Sequence, residues 1–166
     1  MKTMMKLFAL GAGFALSLVP VRAAILQVGT NWTGTPYPDV QSAVDAAADG
    51  DEIWVEQGTY VLTNTIVIDK SLAVYGGFDG TETQRGERDW TNQIAIVDGN
   101  GGVRCFHVAA SNAAAVVLDG LTIARGSTSA TAENGPAVWN GNTTGSVFGD
   151  LSVVHCTIVS NVSGKH

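Results

Sequence analysis

From Gly50 onward the chain is built of short β-branched and aromatic runs, and no second helical period interrupts them. Ile53-Trp54-Val55, Thr59-Tyr60-Val61-Leu62, Thr65-Ile66-Val67-Ile68 and Leu72-Ala73-Val74-Tyr75 come first, parted by Gly50-Asp51, Gln57-Gly58, Thr63-Asn64 and Asp69-Lys70. Ile94 to Val97, Val103 to Val108, Val116 to Leu118, Leu121 to Ile123, Ala137 to Trp139, Leu151 to Val154 and Thr157 to Val159 continue the pattern. Parallel strands joined by βαβ crossovers need helices between them, so that architecture is excluded. Two architectures remain. An antiparallel sandwich wants clean in/out alternation and hairpin-length turns, and turns of two to five residues do occur. A solenoid wants repeats. Leu118 to Ile123 matches Val153 to Ile158 in apolar pattern at an offset of 35, each followed by a turn, Arg125-Gly126 or Ser160-Asn161.

The single helical pattern precedes this region. Asp39 to Ala48 places Val40, Ala43, Val44 and Ala47 on one face, with Asp39 as N-cap or first-turn acid and Gly50 as a left-handed stop. A helix so short is weak alone and is expected to lie on an apolar surface.

Met1 to Ala23 reads as a secretory signal peptide: Lys2 and Lys6, an apolar Leu7 to Val19, then Val21-Arg22-Ala23 before the cut. Arg22 leaves open a cut a few residues away, and an uncleaved anchor is the competing reading. The apolar stretch is shorter than the roughly 20 residues of a spanning helix. Residues 24–38 are then a lead-in and 39–166 the folded domain. Removing residues 1–23 takes away three of 9 basic residues and leaves 15 acids, a net charge of −9. Such a chain finds no favourable field on nucleic acid or an anionic membrane. Cys105 and Cys156 enter an oxidising compartment, where two buried thiols are favoured over a bridge.

The stretch from Asp39 through Gly50-Asp51-Glu52-Ile53-Trp54-Val55 to Gly58-Thr59-Tyr60 resembles the opening of pectate-lyase-like right-handed β-helix proteins. In that family a short helix caps the open end of the tube. Val74-Tyr75-Gly76-Gly77-Phe78-Asp79-Gly80-Thr81-Glu82-Thr83-Gln84-Arg85, Arg88-Asp89-Trp90 and Ile96-Val97-Asp98-Gly99 are similar to bacterial surface β-helix proteins related to polymorphic outer membrane proteins. Leu118 to Ile123 and Cys156 to Asn161 resemble their coil repeats, in which an apolar strand ends in Asn. The resemblance runs from about residue 39 to the end. It implies an all-β, right-handed parallel β-helix solenoid with a capping α-helix, truncated at its C-terminal side. A genuinely short protein that self-associates end to end is the alternative.

Function does not follow from that fold. Asp98 and Asp119 sit in Asp-Gly turns and are expected to shape them by local hydrogen bonds. The lyase relatives' Trp-Ile-Asp-His and paired-arginine motifs are missing, as are the neighbouring Asp residues of a polygalacturonase-like site. Asp79, Glu82, Arg85, Glu87, Arg88 and Asp89 read as a solvated insertion whose opposite charges pair and whose Trp90 packs back; a calcium or sugar site is the competing reading. His107 and His155 lie within apolar runs and are expected to be structural, while His166 is terminal and uninformative. Trp32, Trp54, Trp90 and Trp139 could stack on sugars, with Trp54 more at home in the core. Asn31, Asn142 and Asn161 begin glycosylation patterns that matter only in a eukaryote, whereas the resemblance and signal suggest a bacterium.

No catalytic, cofactor-binding or metal-binding residue is therefore assigned, and calcium is unsupported. The expectation is an exported, non-catalytic cell-surface or secreted β-helix, adhesin- or stalk-like, with a polysaccharide or surface glycan as partner and the bacterial outer membrane as location. The alternative is the N-terminal part of a polysaccharide lyase or hydrolase with its active site beyond residue 166. A carbohydrate-binding module is a third reading.

Overall fold

A computed structural model describes residues 23–110, 114–128, 135–141 and 149–164. Most of the expected signal peptide, the Asn142 glycosylation pattern and His166 lie outside the described residues. Strand β1 (Ile25–Val28) comes first, then helix α1 (Val40–Ala46). Strands β2 (Asp51–Glu56), β3 (Gly58–Val61), β4 (Ile66–Ile68) and β5 (Leu72–Phe78) follow, then a 3-10 turn at Arg85–Glu87. Next come β6 (Ala95–Asp98), β7 (Phe106–Val108), β8 (Ala115–Asp119), β9 (Leu121–Ala124), β10 (Ser127–Thr128) and β11 (Val138–Asn140). The series ends with β12 (Asp150–Val154), β13 (Thr157–Val159) and β14 (Val162–Ser163).

Every strand pairing among the described residues is parallel, which removes the antiparallel sandwich. One sheet has the order β1-β2-β5-β8-β12, a second β3-β6-β9-β13, a third β4-β7-β11, and β10 pairs with β14. The chain leaves β2, passes through β3 and β4, and returns at β5 beside β2; β6 and β7 then lead to β8 beside β5. The connection that a parallel pair requires is thus made of other strands instead of a helix.

Register stacks like residues. Leu26, Ile53, Val74, Leu118 and Val153 form one column, and Tyr60, Val97, Ile123 and Ile158 another. Ile66, Phe106 and Val138 form a third. The middle members are fully buried in one apolar cluster. The sequence offset of 35 is the pairing register itself, since Leu118 opposes Val153 and Ile123 opposes Ile158. Corners repeat too: Gly120 and His155 both have left-handed φ, as do Arg125 and Ser160. Asn161 ties two layers together, accepting from Gly126 N at 2.6 Å and donating to Ile123 O at 2.9 Å.

The helix is shorter than its pattern. Asp39 is the N-cap, accepting from Ser42 N at 2.8 Å, but the helix stops at Ala46 with Ala47 extended. Gly50 does not stop it: its left-handed φ serves the later turn into β2, where its N–H donates to Ser71 O. Lys70 Nζ closes the helix end instead, donating to Val44 O and Ala47 O at 3.2 and 3.1 Å. On the other side the Gln41 amide accepts from Val67 N at 2.7 Å and donates to Val67 O at 3.4 Å. It meets the outer edge of β4, whose backbone groups would otherwise be left to solvent. The lead-in also contributes β1, whose four-residue run sits among polar turns and gives little periodicity to read.

Candidate functional site

The long connection between β5 and β6 folds onto the outer face of the five-stranded sheet. It starts at a bulge: β2 and β5 slip register between Val55 and Glu56, and Gly77 takes φ +95°. A Cβ there would lie 2.6 Å from Trp90 N, so only glycine lets the returning segment sit this close. Asp89 N donates to Gly77 O at 2.7 Å.

Arg88 then reaches across the sheet. Its guanidinium donates to Gly76 O at 3.2 Å and to Asp119 Oδ2 at 2.7 Å, and lies over the rings of Tyr75 and Trp90. Asp119 also bonds His155 Nδ1 at 3.0 Å, and the His155 ring stacks on Trp90 with centroids 4.6 Å apart. Three layers are joined here through one carboxylate. Two expectations are corrected by it. Asp119 does not shape its own turn; it bonds residues 31 and 36 positions away. His155 is not inside a strand but at the corner after β12, with φ +49°. An Asp–His pair can orient an imidazole for proton transfer, yet among the described residues no hydroxyl or thiol is bonded to His155.

The charged insertion also pairs differently from its expected form. Its acids hold backbone and hydroxyl groups nearby, and its arginines go elsewhere. Asp79 accepts from Thr81, which holds its carboxyl below the usual range. Glu87 accepts from Thr83 N and Gln84 N, with the same effect. Thr91 and Asn92 hydrogen bonds take Asp89 down to about 2. Arg85 leaves the insertion for Glu52 at 2.7 Å and Tyr75 Oη at 3.0 Å. Short local turns offered the acids nearer donors than the arginines did.

Asp98 combines the turn role with a distant one. It accepts from Asn100 N at 2.8 Å, and the Arg125 guanidinium forks onto it, with Nε 2.9 Å from Oδ1. That hydrogen bonding by Arg125, ahead of the turn N–H, holds the Asp98 carboxyl below its ordinary 3.8. A depressed folded-state value stabilises the fold above the unfolded value and loses that contribution as pH falls through the folded one. Thermal unfolding followed from pH 5 to pH 2 is therefore expected to show a steeper loss for the native chain than for Asp98→Asn. At pH 7 the variant is expected to be about 1–3 kcal/mol less stable, a range for a hydrogen bond to a charged group with one exposed partner.

Beside the insertion, two adjoining hollows of about 470 and 270 Å³ share Ile25, Trp54 and Thr83. Gln27, Asn31 and Glu82 line the larger; Glu52, Gln84 and Arg85 line the smaller. The indoles beneath are not a stacking platform. Trp32, Trp54 and Phe78 are buried together, Trp54 and Phe78 face to face at 4.7 Å. The groove therefore offers amides, hydroxyls, the carboxylates of Glu52 and Glu82 and one guanidinium as hydrogen-bonding groups.

The remaining candidates lie apart. His107 stacks on Trp139 at 4.3 Å and its Nε2 bonds Gly141 O at 2.7 Å, with Arg104 over the Trp139 ring. Both cysteines are free; burial pushes the Cys105 thiol up to about 11, which keeps it protonated and inert. Among the described residues, no three His, Cys, Asp or Glu side chains cluster as a metal site. Compared with models of known families, curated proteins and solved structures, the chain matches none.

Proposed function

We propose that this chain forms a right-handed parallel β-helix that is exported and acts as a non-catalytic, adhesin- or stalk-like surface protein. Support for the solenoid comes from the strand order, which returns to the same sheets in the same sequence, and from the stacked side-chain columns. Right-handedness follows the general preference of parallel crossovers. The observation that carries the non-catalytic reading is the fate of the carboxylates. Asp98 and Asp119 are each held by an arginine, and Glu56 by Thr30 N and the Asn31 side chain. A carboxylate so engaged has little capacity left to bind calcium or move a proton.

The partner proposed for the groove is a surface glycan, because amides, hydroxyls, the Glu52 and Glu82 carboxylates and an arginine together suit a neutral, hydroxyl-rich chain. Glycan-array binding by the purified protein, weakened at least fivefold by Arg85→Ala, is the expected result. No binding removes the glycan partner, and release of unsaturated uronate from pectin would overturn the non-catalytic reading in favour of a lyase.

A further inference from the structure

Among the described residues, Asp51 is a charge without a counter-charge. It is only 8 % exposed, and the two donors on its carboxylate are backbone groups, Ala48 N on Oδ2 and Ala24 N on Oδ1, both at 2.8 Å. Among the described residues no lysine, arginine or histidine forms an ion pair with it. Its charged neighbours are otherwise engaged. Lys70 donates to the end of α1, Asp49 accepts from Ser71 N, Asp45 from Gln41, and Glu52 pairs with Arg85. A nearly buried carboxylate with neutral donors alone is costly.

One of those donors, Ala24 N, follows the bond at which the sequence expects a signal peptide to be cut. Val21 and Ala23 supply the small residues before that bond, and Ala23 and Ala24 are both exposed. The Ala24 carbonyl is already fixed in the β1–β2 ladder, accepting from Glu52 N at 2.9 Å.

We propose that cleavage between Ala23 and Ala24 creates the missing cation, and that Asp51 is the receptor for the new N-terminus. The step is a hydrolysis by a signal peptidase of the exporting cell. The Ala23–Ala24 amide bond breaks, water supplies hydroxyl to the Ala23 carboxyl and hydrogen to Ala24 N, and the amine takes a further proton from solvent. The ammonium forms where the amide N–H stood, so no rearrangement is needed. Processing thereby converts a hydrogen bond from a neutral donor into an ion pair at the first strand. Maturation and the anchoring of β1 become one event.

This rests on the export reading, and its test keeps the two apart. The full chain is expressed in an exporting bacterial host, and the mature product is read by intact mass and N-terminal sequencing. A product beginning at Ala24 is expected. Its α-amine should react with an acylating reagent at pH 8 about fivefold more slowly than an unperturbed amine, corresponding to an upward shift of one pKa unit from about 7.7–8.0. Because the raised value belongs to a cation, its contribution is complete below the unfolded value and lost as pH rises through the folded one. The unfolding midpoint should therefore fall between about pH 8 and 10 in the native chain, and less in Asp51→Asn. Should that variant not fold, the amine reactivity of the native chain decides alone. An uncleaved product overturns export and pairing together; a product starting elsewhere overturns the pairing. An Ala24 terminus of ordinary reactivity also overturns the pairing, but leaves export standing.

Discussion

Phe106→Ala is expected to remove about 3–5 kcal/mol of stability, the usual cost of truncating a fully buried phenylalanine. Phe106 is completely buried in β7, between Ile66 on one neighbouring strand and Val138 on the other, so the column cannot close over a gap without moving two ladders. Its own N–H donates to Ala137 O at 2.9 Å, which keeps the backbone in place while the ring is deleted. Against the roughly 5–15 kcal/mol typical of a domain, this loss leaves a marginal fold. Urea unfolding should show a lower midpoint with an unchanged slope. A loss below about 1 kcal/mol would mean that the interior collapses freely and is not the close-packed column described.

Arg88→Ala should be comparably severe, by about 3–5 kcal/mol, because it leaves a nearly buried carboxylate without its cation. The Arg88 side chain is only 8 % exposed and the Asp119 side chain 12 %, so solvent cannot replace the lost partner well. The contacts of Arg88 with Gly76 O, Asp119 and the Tyr75 ring tie the insertion to the sheet. Limited proteolysis should then cut the 79–93 segment faster than in the native chain. The decisive comparison is Arg88→Met combined with Asp119→Leu. Removing both charges is expected to cost less than Arg88→Ala alone, since no unpaired charge remains buried. If the double variant is the worse of the two, the clasp acts through packing and not through charge. Arg88→Lys should rescue only partly, because an ammonium cannot fork or stack as the guanidinium does.

Much of the strand inventory was legible along the chain. Ile66–Ile68, Leu121–Ala124 and Thr157–Val159 stand within a residue or so of their apolar runs, because side chains that suit a pleated, half-buried surface mark it locally. The N-cap role of Asp39 was equally visible, since its partner Ser42 N is three residues away. The ending of α1 was not. It depends on Lys70, 23 to 26 residues distant, rather than on the nearby Gly50. β1 escaped for a related reason: Ile25–Val28 is a strand because β2 offers it a ladder.

The site divided in the same way. Local donors around Asp79, Glu87 and Asp89 lie within a few residues and follow from short-range geometry. The meeting of Arg88, Asp119 and His155 does not, because it joins residues a layer apart through the register of three parallel strands. Short-range patterns therefore sufficed to identify most of the strands after Gly50, though not β10 or β14, and the start of the helix before them, since propensity and capping act within one turn or pleat. The parallel register, the insertion clasped by Arg88 and the pairing of Asp98 with Arg125 were decided only when the layers stacked. Those contacts have no sequence spacing of their own, and a side chain finds them only after the parallel strands have paired in register.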